Sequence, residues 1–223
     1  ANEVKIPKLG LGTWRISDEE VAPVVRDAIE IGYRHLDTAQ AYGNEHGVAE
    51  GLRASGVSRD QIFVATKLAA ECKSYVEAKE RIDGSLRALR LDHIDLMLIH
   101  SPQPWAEFRE GEPFFEGNLD VWRALEETYR AGKLRAIGVS NFERADLDNL
   151  LDNGSVAPMV NQVLAHVGNT PFDLIDYSRS KGMLVEAYSP VAHGAALNNA
   201  HLGALAAKYG VSVAQLCIRY CAQ

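Results

Sequence analysis

Seven short apolar runs of strand length alternate along this chain with segments that carry helix start and stop signals, and no other feature limits the fold as strongly. The runs are Leu9 to Thr13, Tyr33 to Asp37, Ile62 to Thr66, Ile94 to Ile99, Ala136 to Ser140, Met159 to Gln162 and Leu184 to Tyr188. Strands separated by helices pair in parallel through right-handed crossovers, and such a sheet is buried on both faces. The expected class is therefore α/β, either a barrel or a doubly wound sheet.

The intervening helices announce themselves. Ser17 and Glu20 form a capping box, with Ile16 and Val21 as its hydrophobic staple, so a helix should run from there to Gly32. Ser74-Tyr75-Val76-Glu77 opens a second helix in the same way, continuing through Leu86 and Leu89. Others should cover residues 119–130, 143–151, 171–181 and 198–209, each followed by glycine or Asn153-Gly154. Trp122, Leu125 and Tyr129 fall at helical spacing and read as core. Ser212 and Gln215 make a further capping box, opening a helix that meets no stop signal before Gln223. The segment from Ser101 to Gly117, with Trp105 and Phe114-Phe115, is long and aromatic for a strand-to-helix connection and should shape a substrate pocket.

No shift in composition marks a second domain, so residues 1–223 are expected to form one. The formal net charge is −7 with both signs interspersed, which gives no footprint for nucleic acid and no polybasic anchor for a membrane. Cys72, Cys217 and Cys221 show neither a paired framework nor a metal-ligand spacing. No apolar run approaches the roughly 18 residues of a membrane span. A soluble, cytoplasmic monomer acting on a small molecule is expected.

Four polar side chains stand where apolar runs end: Asp37 and Tyr42 after the second run, Lys67 after the third and His100 after the fourth. Side chains at the carboxyl ends of parallel barrel strands converge on one face, so these four can surround one reacting atom. Carbonyl reduction needs a hydride at carbon and a proton at oxygen. Side chains supply only the proton, so the hydride must come from a bound nicotinamide. Free tyrosine titrates near pH ~10, and an adjacent lysine ammonium is expected to lower that value and make Tyr42 a usable acid. Asp37 would keep Lys67 charged, and His100 would orient the carbonyl oxygen.

The chain resembles the aldo-keto reductase family in Gly10-Leu11-Gly12-Thr13-Trp14, Asp37-Thr38-Ala39-Gln40-Ala41-Tyr42-Gly43-Asn44-Glu45, Ala65-Thr66-Lys67-Leu68, Leu98-Ile99-His100-Ser101-Pro102, Gly138-Val139-Ser140-Asn141-Phe142, Val160-Asn161-Gln162 and Ala187-Tyr188-Ser189-Pro190. The likeness is strongest to small prokaryotic members typified by 2,5-diketo-D-gluconate reductase. It implies a (β/α)8 TIM barrel that reduces aldehydes or ketones, among them dicarbonyls or keto-sugar acids, with NADPH, NADH being the alternative. It also implies Tyr42 as proton donor with Asp37, Lys67 and His100. The cofactor would be held by Gly12, Thr13, Ser140, Asn141, Gln162, Tyr188 and Ser189, the substrate would lie against Trp14 and Trp105, and no metal would be needed. One negative agrees: Gly10-Leu11-Gly12 is followed by Arg15, so the Rossmann fingerprint G-x-G-x-x-G fails.

Two rival readings use the same residues. His35, Asp37, His100 and Lys67 could form a hydrolytic metal site, and a reductase-like barrel could bind nucleotide as a sensor or scaffold without turnover. The first leaves Tyr42 unexplained; the second leaves four site residues without a task. His35 is expected to pack beneath the site. No eighth strand and last helix follow Gln223, and there the resemblance places a Lys- and Arg-bearing loop that grips the adenosine phosphate. The sequence is therefore expected to be part of a longer chain.

Overall fold

A computed structural model describes residues 2–223. Strands and helices follow one another as β1 (Leu11–Gly12), α1 (Asp18–Glu30), β2 (His35–Asp37), α2 (Glu45–Ala54), β3 (Phe63–Leu68), α3 (Tyr75–Leu89), β4 (Leu96–Ile99), α4 (Phe115–Arg130), β5 (Ile137–Ser140), α5 (Arg144–Asn153), β6 (Val160–Leu164), α6 (Phe172–Ser180), β7 (Leu184–Tyr188), α7 (Ala200–Tyr209) and α8 (Val213–Cys221). This is the α/β class of the (β/α)8 TIM barrel, with seven strands among the described residues. The chain divides into two compact units, Ala1–Val160 and Asn161–Gln223.

In the first unit β1 to β5 pair in chain order, all parallel. The register sets Gly12 beside Asp37, Asp37 beside Ala65, and Lys67 beside Leu98. Both faces of β3 and β4 are buried, as their unbroken apolar runs require. Val21, Val25 and Ile29 of α1, Ile82 and Leu89 of α3, and Val121, Trp122 and Leu125 of α4 complete the core. Each fully buried side chain of this kind contributes roughly 1.5–3 kcal/mol. Trp122 also donates from Nε1 to the Val156 carbonyl at 2.9 Å, so its one polar atom is satisfied.

The second unit holds β6 and β7 with α6 to α8. Asn161 of β6 donates to the Ser178 hydroxyl of α6 at 3.3 Å, and Cys221 of α8 lies 3.2 Å from the Ala165 carbonyl. The capping box expected at Ser212 is present: the Gln215 N–H donates to Ser212 Oγ at 3.1 Å, and the Ser212 N–H donates to Gln215 Oε1 at 2.8 Å. The helix it opens ends at Cys221.

Several expectations need correction. Ser17 does not cap α1; its hydroxyl donates instead to the Glu20 carboxylate at 2.8 Å. Ser74 makes no side-chain cap either. Helix α4 begins at Phe115 rather than Leu119, so the aromatic connection after β4 is shorter than expected. Helix α2 is absent from the sequence reading because Gly47 and Gly51 lower helix propensity. Both face α1, where an added Cβ would run into the backbone carbonyls of Asp18 and Ala22 and the side chains of Val21 and Val25. The glycines permit two helices to approach closely. No helix among the described residues is long and apolar enough to cross a membrane.

Candidate functional site

The ends of β2, β3 and β4 bring the four polar residues named from the sequence together. Lys67, on the last turn of pleat in β3, is almost fully buried and forms an ion pair with Asp37 at the end of β2. Its ammonium also donates to the Thr38 carbonyl at 3.0 Å. Tyr42 sits on a short 3-10 turn, Gln40–Tyr42, closed by Gly43 in the left-handed region at φ +68°. Lys67 Nζ lies 5.2 Å from the centre of the Tyr42 ring and hydrogen-bonds to its side chain. His100, immediately after β4, meets Tyr42 edge to face with ring centres 5.6 Å apart.

Burial sets the protonation states. The Tyr42 hydroxyl is raised above its ordinary value of 10.0, because desolvation outweighs the lowering by Lys67. This is the reverse of the direction expected from sequence: Lys67 does lower the hydroxyl, and burial outweighs it. His100 is pushed down to about 3, by burial first and then by the Lys67 charge. The imidazole is therefore neutral at any ordinary pH. Its Nδ1 is buried with no hydrogen-bond partner among the described residues, which is costly unless something else fills that role.

Around these four the first unit places other residues singled out from sequence. Thr13 donates from its N–H to the Asp37 carbonyl at 3.0 Å. A Cβ at Gly12 would meet nothing within 4 Å, so the end of β1 leaves open space beside the strand bearing Asp37. Ser140 ends β5, and Asn141 follows at φ +63°, a conformation asparagine tolerates. Asn141 Nδ2 donates to the His100 carbonyl at 2.9 Å and to Ser140 Oγ at 3.1 Å, which fixes both polar side chains against the strand end carrying His100.

The two tryptophans differ. Trp105 is 40% exposed and packs edge to face on His100 at 5.0 Å and on Phe108 at 5.4 Å. Trp14 is 48% exposed, its ring covered by the Arg15 guanidinium at 4.6 Å. His35 packs as expected: it is buried against Phe63 at 5.0 Å, with Nδ1 3.4 Å from the Pro7 carbonyl. In the second unit, buried Gln162 donates to Glu186 at 3.2 Å, Tyr188 ends β7, and Ser189 follows at φ +55° with Oγ 3.5 Å from His193 Nδ1.

Sequence reading passed over Gln40, Asn44 and Glu45 as site residues. All three flank Tyr42 and are held in side-chain hydrogen bonds. All three lie in the stretch from Asp37 to Glu45 that carries the family resemblance, but polar residues close to a candidate acid are also what a turn commonly shows for other reasons.

Comparison with known proteins is consistent along the whole chain. Residues 8–223 match the model of the Aldo/keto reductase family. Glyoxal reductase of Bacillus subtilis is 40% identical over 98% of this chain and 76% of its own length. Methylglyoxal reductase DkgA of Salmonella typhimurium is 35% identical over 96% of this chain and 75% of its own. Among solved structures, an aldo-keto reductase from a Medee basin deep-sea metagenome library superposes with a TM-score of 0.90 at 37% identity, covering 98% of this chain and 78% of that one. A Bombyx mori aldo-keto reductase in complex with NADP gives 0.84 at 34% identity, covering 96% and 76%.

Proposed function

Because the chain belongs to the aldo/keto reductase family of NAD(P)H-dependent oxidoreductases, we propose that it reduces small aldehydes and ketones to alcohols with NADPH, Tyr42 giving the proton. One observation carries the choice of donor. With its value pushed down to about 3, His100 is a neutral imidazole at neutral pH and a far weaker acid than an imidazolium, which favours Tyr42 as the donor. Tyr42, raised above 10.0, keeps its proton until the reaction draws on it.

As that proton leaves, negative charge develops on the phenolic oxygen next to Lys67, whose ammonium stabilises it at this partly buried position. Asp37 holds Lys67 in place and offsets the cost of burying its charge. His100, neutral, donates one ring N–H to the carbonyl oxygen and turns it towards Tyr42. The hydride for the carbonyl carbon would come from a nicotinamide when one is bound. The family resemblance assigns cofactor contacts to Gly12, Thr13, Ser140 and Asn141 in the first unit and to Gln162, Tyr188 and Ser189 in the second. Trp14 and Trp105 would form the walls against the substrate. NADPH is favoured by the NADP-bound structural relative, and small dicarbonyls by the relatives named glyoxal and methylglyoxal reductase.

The test is oxidation of NADPH, and separately NADH, in the presence of glyoxal and methylglyoxal, with Tyr42→Phe as control. Turnover that falls by about 10²–10⁴ in the variant supports the reading. Equal turnover in Tyr42→Phe defeats the assignment of the donor, and binding of NADPH without any turnover defeats the enzyme reading in favour of a sensor or scaffold.

A further inference from the structure

We propose that Gln40 and Asn44 are positioning residues: a two-sided clamp that holds the Tyr42 hydroxyl in register with Lys67 and His100. The inference rests on Tyr42 being the proton donor. The turn that carries Tyr42 has only three residues, and Ala41 and Gly43 on either side of Tyr42 are exposed. A single 3-10 turn has poor hydrogen-bond geometry and no packed face of its own, so it cannot fix a side chain unaided.

The fixing comes from the two amides. Gln40 accepts from the Ala69 N–H at 3.1 Å and donates to the Arg81 carbonyl at 2.9 Å and the Ser85 hydroxyl at 2.8 Å. Ala69 follows β3, the strand that bears Lys67, so this end of the turn is referenced to the lysine's own strand. Asn44, fully buried, donates to the carbonyls of Thr13 and Ile16, both at 2.9 Å, and accepts from the Thr38 hydroxyl at 2.7 Å. Thr38 directly follows Asp37. The far end of the turn is thus referenced to β1 and to the strand carrying the lysine's counter-ion.

Asn44 also forgoes the task its position would normally give it. It is the N-cap of α2, where an asparagine ordinarily accepts from an N–H in the first turn of its own helix, yet it makes no such bond. That N–H, of Gly47, is taken at 2.6 Å by Asp18 of α1. Asp18 caps the helix, while the Asn44 side chain bonds the Thr13 and Ile16 carbonyls and the Thr38 hydroxyl instead. Helix stability and placement of Tyr42 are therefore assigned to different residues, which makes them separable by mutation.

The experiment measures kcat, KM, NADPH affinity and the solvent deuterium isotope effect on kcat for Gln40→Ala, Asn44→Ala, Ser85→Ala and Asp18→Ala, using methylglyoxal with Tyr42→Phe as reference. A displacement near 1 Å costs about 10²-fold in rate, so kcat should fall by about 10- to 100-fold in the two amide variants, with a larger isotope effect as proton transfer slows. KM and NADPH affinity should stay within about threefold of wild type. Asp18→Ala should lower the melting temperature and leave kcat unchanged, and Ser85→Ala should show a smaller fall in kcat with the same isotope signature. A kcat within about twofold of wild type in Gln40→Ala, or a fall matched by weaker NADPH binding, overturns the clamp. Should either amide variant fail to fold, Ser85→Ala decides: an unchanged kcat and isotope effect there overturn it too. Full activity in Tyr42→Phe would remove the donor assignment itself, whereas an inactive Tyr42→Phe beside a fully active Gln40→Ala removes the clamp alone.

Discussion

Strand β4 is flanked by two buried polar clusters, Asp95 before it and His100 after it, and they are built to different ends. Asp95 is fully buried; its Oδ2 accepts from Arg59 at 2.5 Å and from the Val64 N–H at 2.9 Å, and its Oδ1 accepts from Arg135 at 2.6 Å. Every contact of that carboxylate ends on the protein itself. At the opposite end, the Asp37–Lys67 pair leads on to Tyr42 and to an imidazole whose Nδ1 has no partner among the described residues. Both clusters pair a carboxylate with a cation: Asp95, fully buried, with two partly exposed arginines, and Asp37, partly exposed, with a buried lysine. What separates structure from chemistry is where the hydrogen-bond chain stops.

Substitutions at the two ends should therefore fail in different ways. Lys67→Met removes the charge that lowers Tyr42, so the phenol rises further and its proton is harder to give up. We expect kcat to drop by about 10³-fold, within the range for a lost acid, while circular dichroism still reports a folded protein. Asp95→Ala leaves the Val64 N–H without its acceptor and two guanidinium groups without their counter-ion. It should lose about 3 kcal/mol in urea denaturation, with kcat per folded molecule unchanged. If the two phenotypes were exchanged, the contrast between the ends would be wrong.

The imidazole allows a finer test by pH. His100 titrates near 6.5 when unfolded and at about 3 when folded. Between those values the unfolded chain holds the extra proton, so the contribution to stability is complete above pH 6.5 and shrinks as pH falls towards 3. The slope is about 1.4 kcal/mol per pH unit, or about 2 kcal/mol on going from pH 6.5 to 5. His35 is lowered in the same direction by its own burial. Denaturation at pH 7 and pH 5 should thus show a smaller acid loss in His100→Gln than in wild type; equal losses would mean that the imidazole is not held neutral.

Much of this was legible in the sequence, for identifiable reasons. Strands betray themselves through apolar runs, and a residue such as Lys67 or His100 at the end of a run is placed by the pleat alone. Element order fixed by alternation then predicts which strand ends are neighbours. Helix α2 was not legible, because Gly47 and Gly51 argue against a helix locally and are explained only by α1 lying against them. Tyr42 had its direction of titration misread, since proximity to Lys67 is visible in the motif but desolvation is a property of the packed site. Gln40 and Asn44 look like ordinary turn residues until their distant partners, 28 to 45 residues away, are known.

The smallest expected effect probes how redundant the Asp95 cluster is. Arg135 is 47% exposed at its side chain, while Arg59 is 25% exposed and also donates to the Ile62 and His93 carbonyls. Arg135→Ala removes a half-solvated partner and leaves Asp95 paired with Arg59 and the Val64 N–H, so the loss should be no more than about 1 kcal/mol after screening by water. Activity should not change. Lys67 is shared differently, because its one ammonium serves both the Asp37 carboxylate and the Tyr42 hydroxyl. A loss in Arg135→Ala as large as in Asp95→Ala would show that the two guanidinium groups act as a unit, and that the cluster before β4 is as intolerant of losing a cation as the cluster after it.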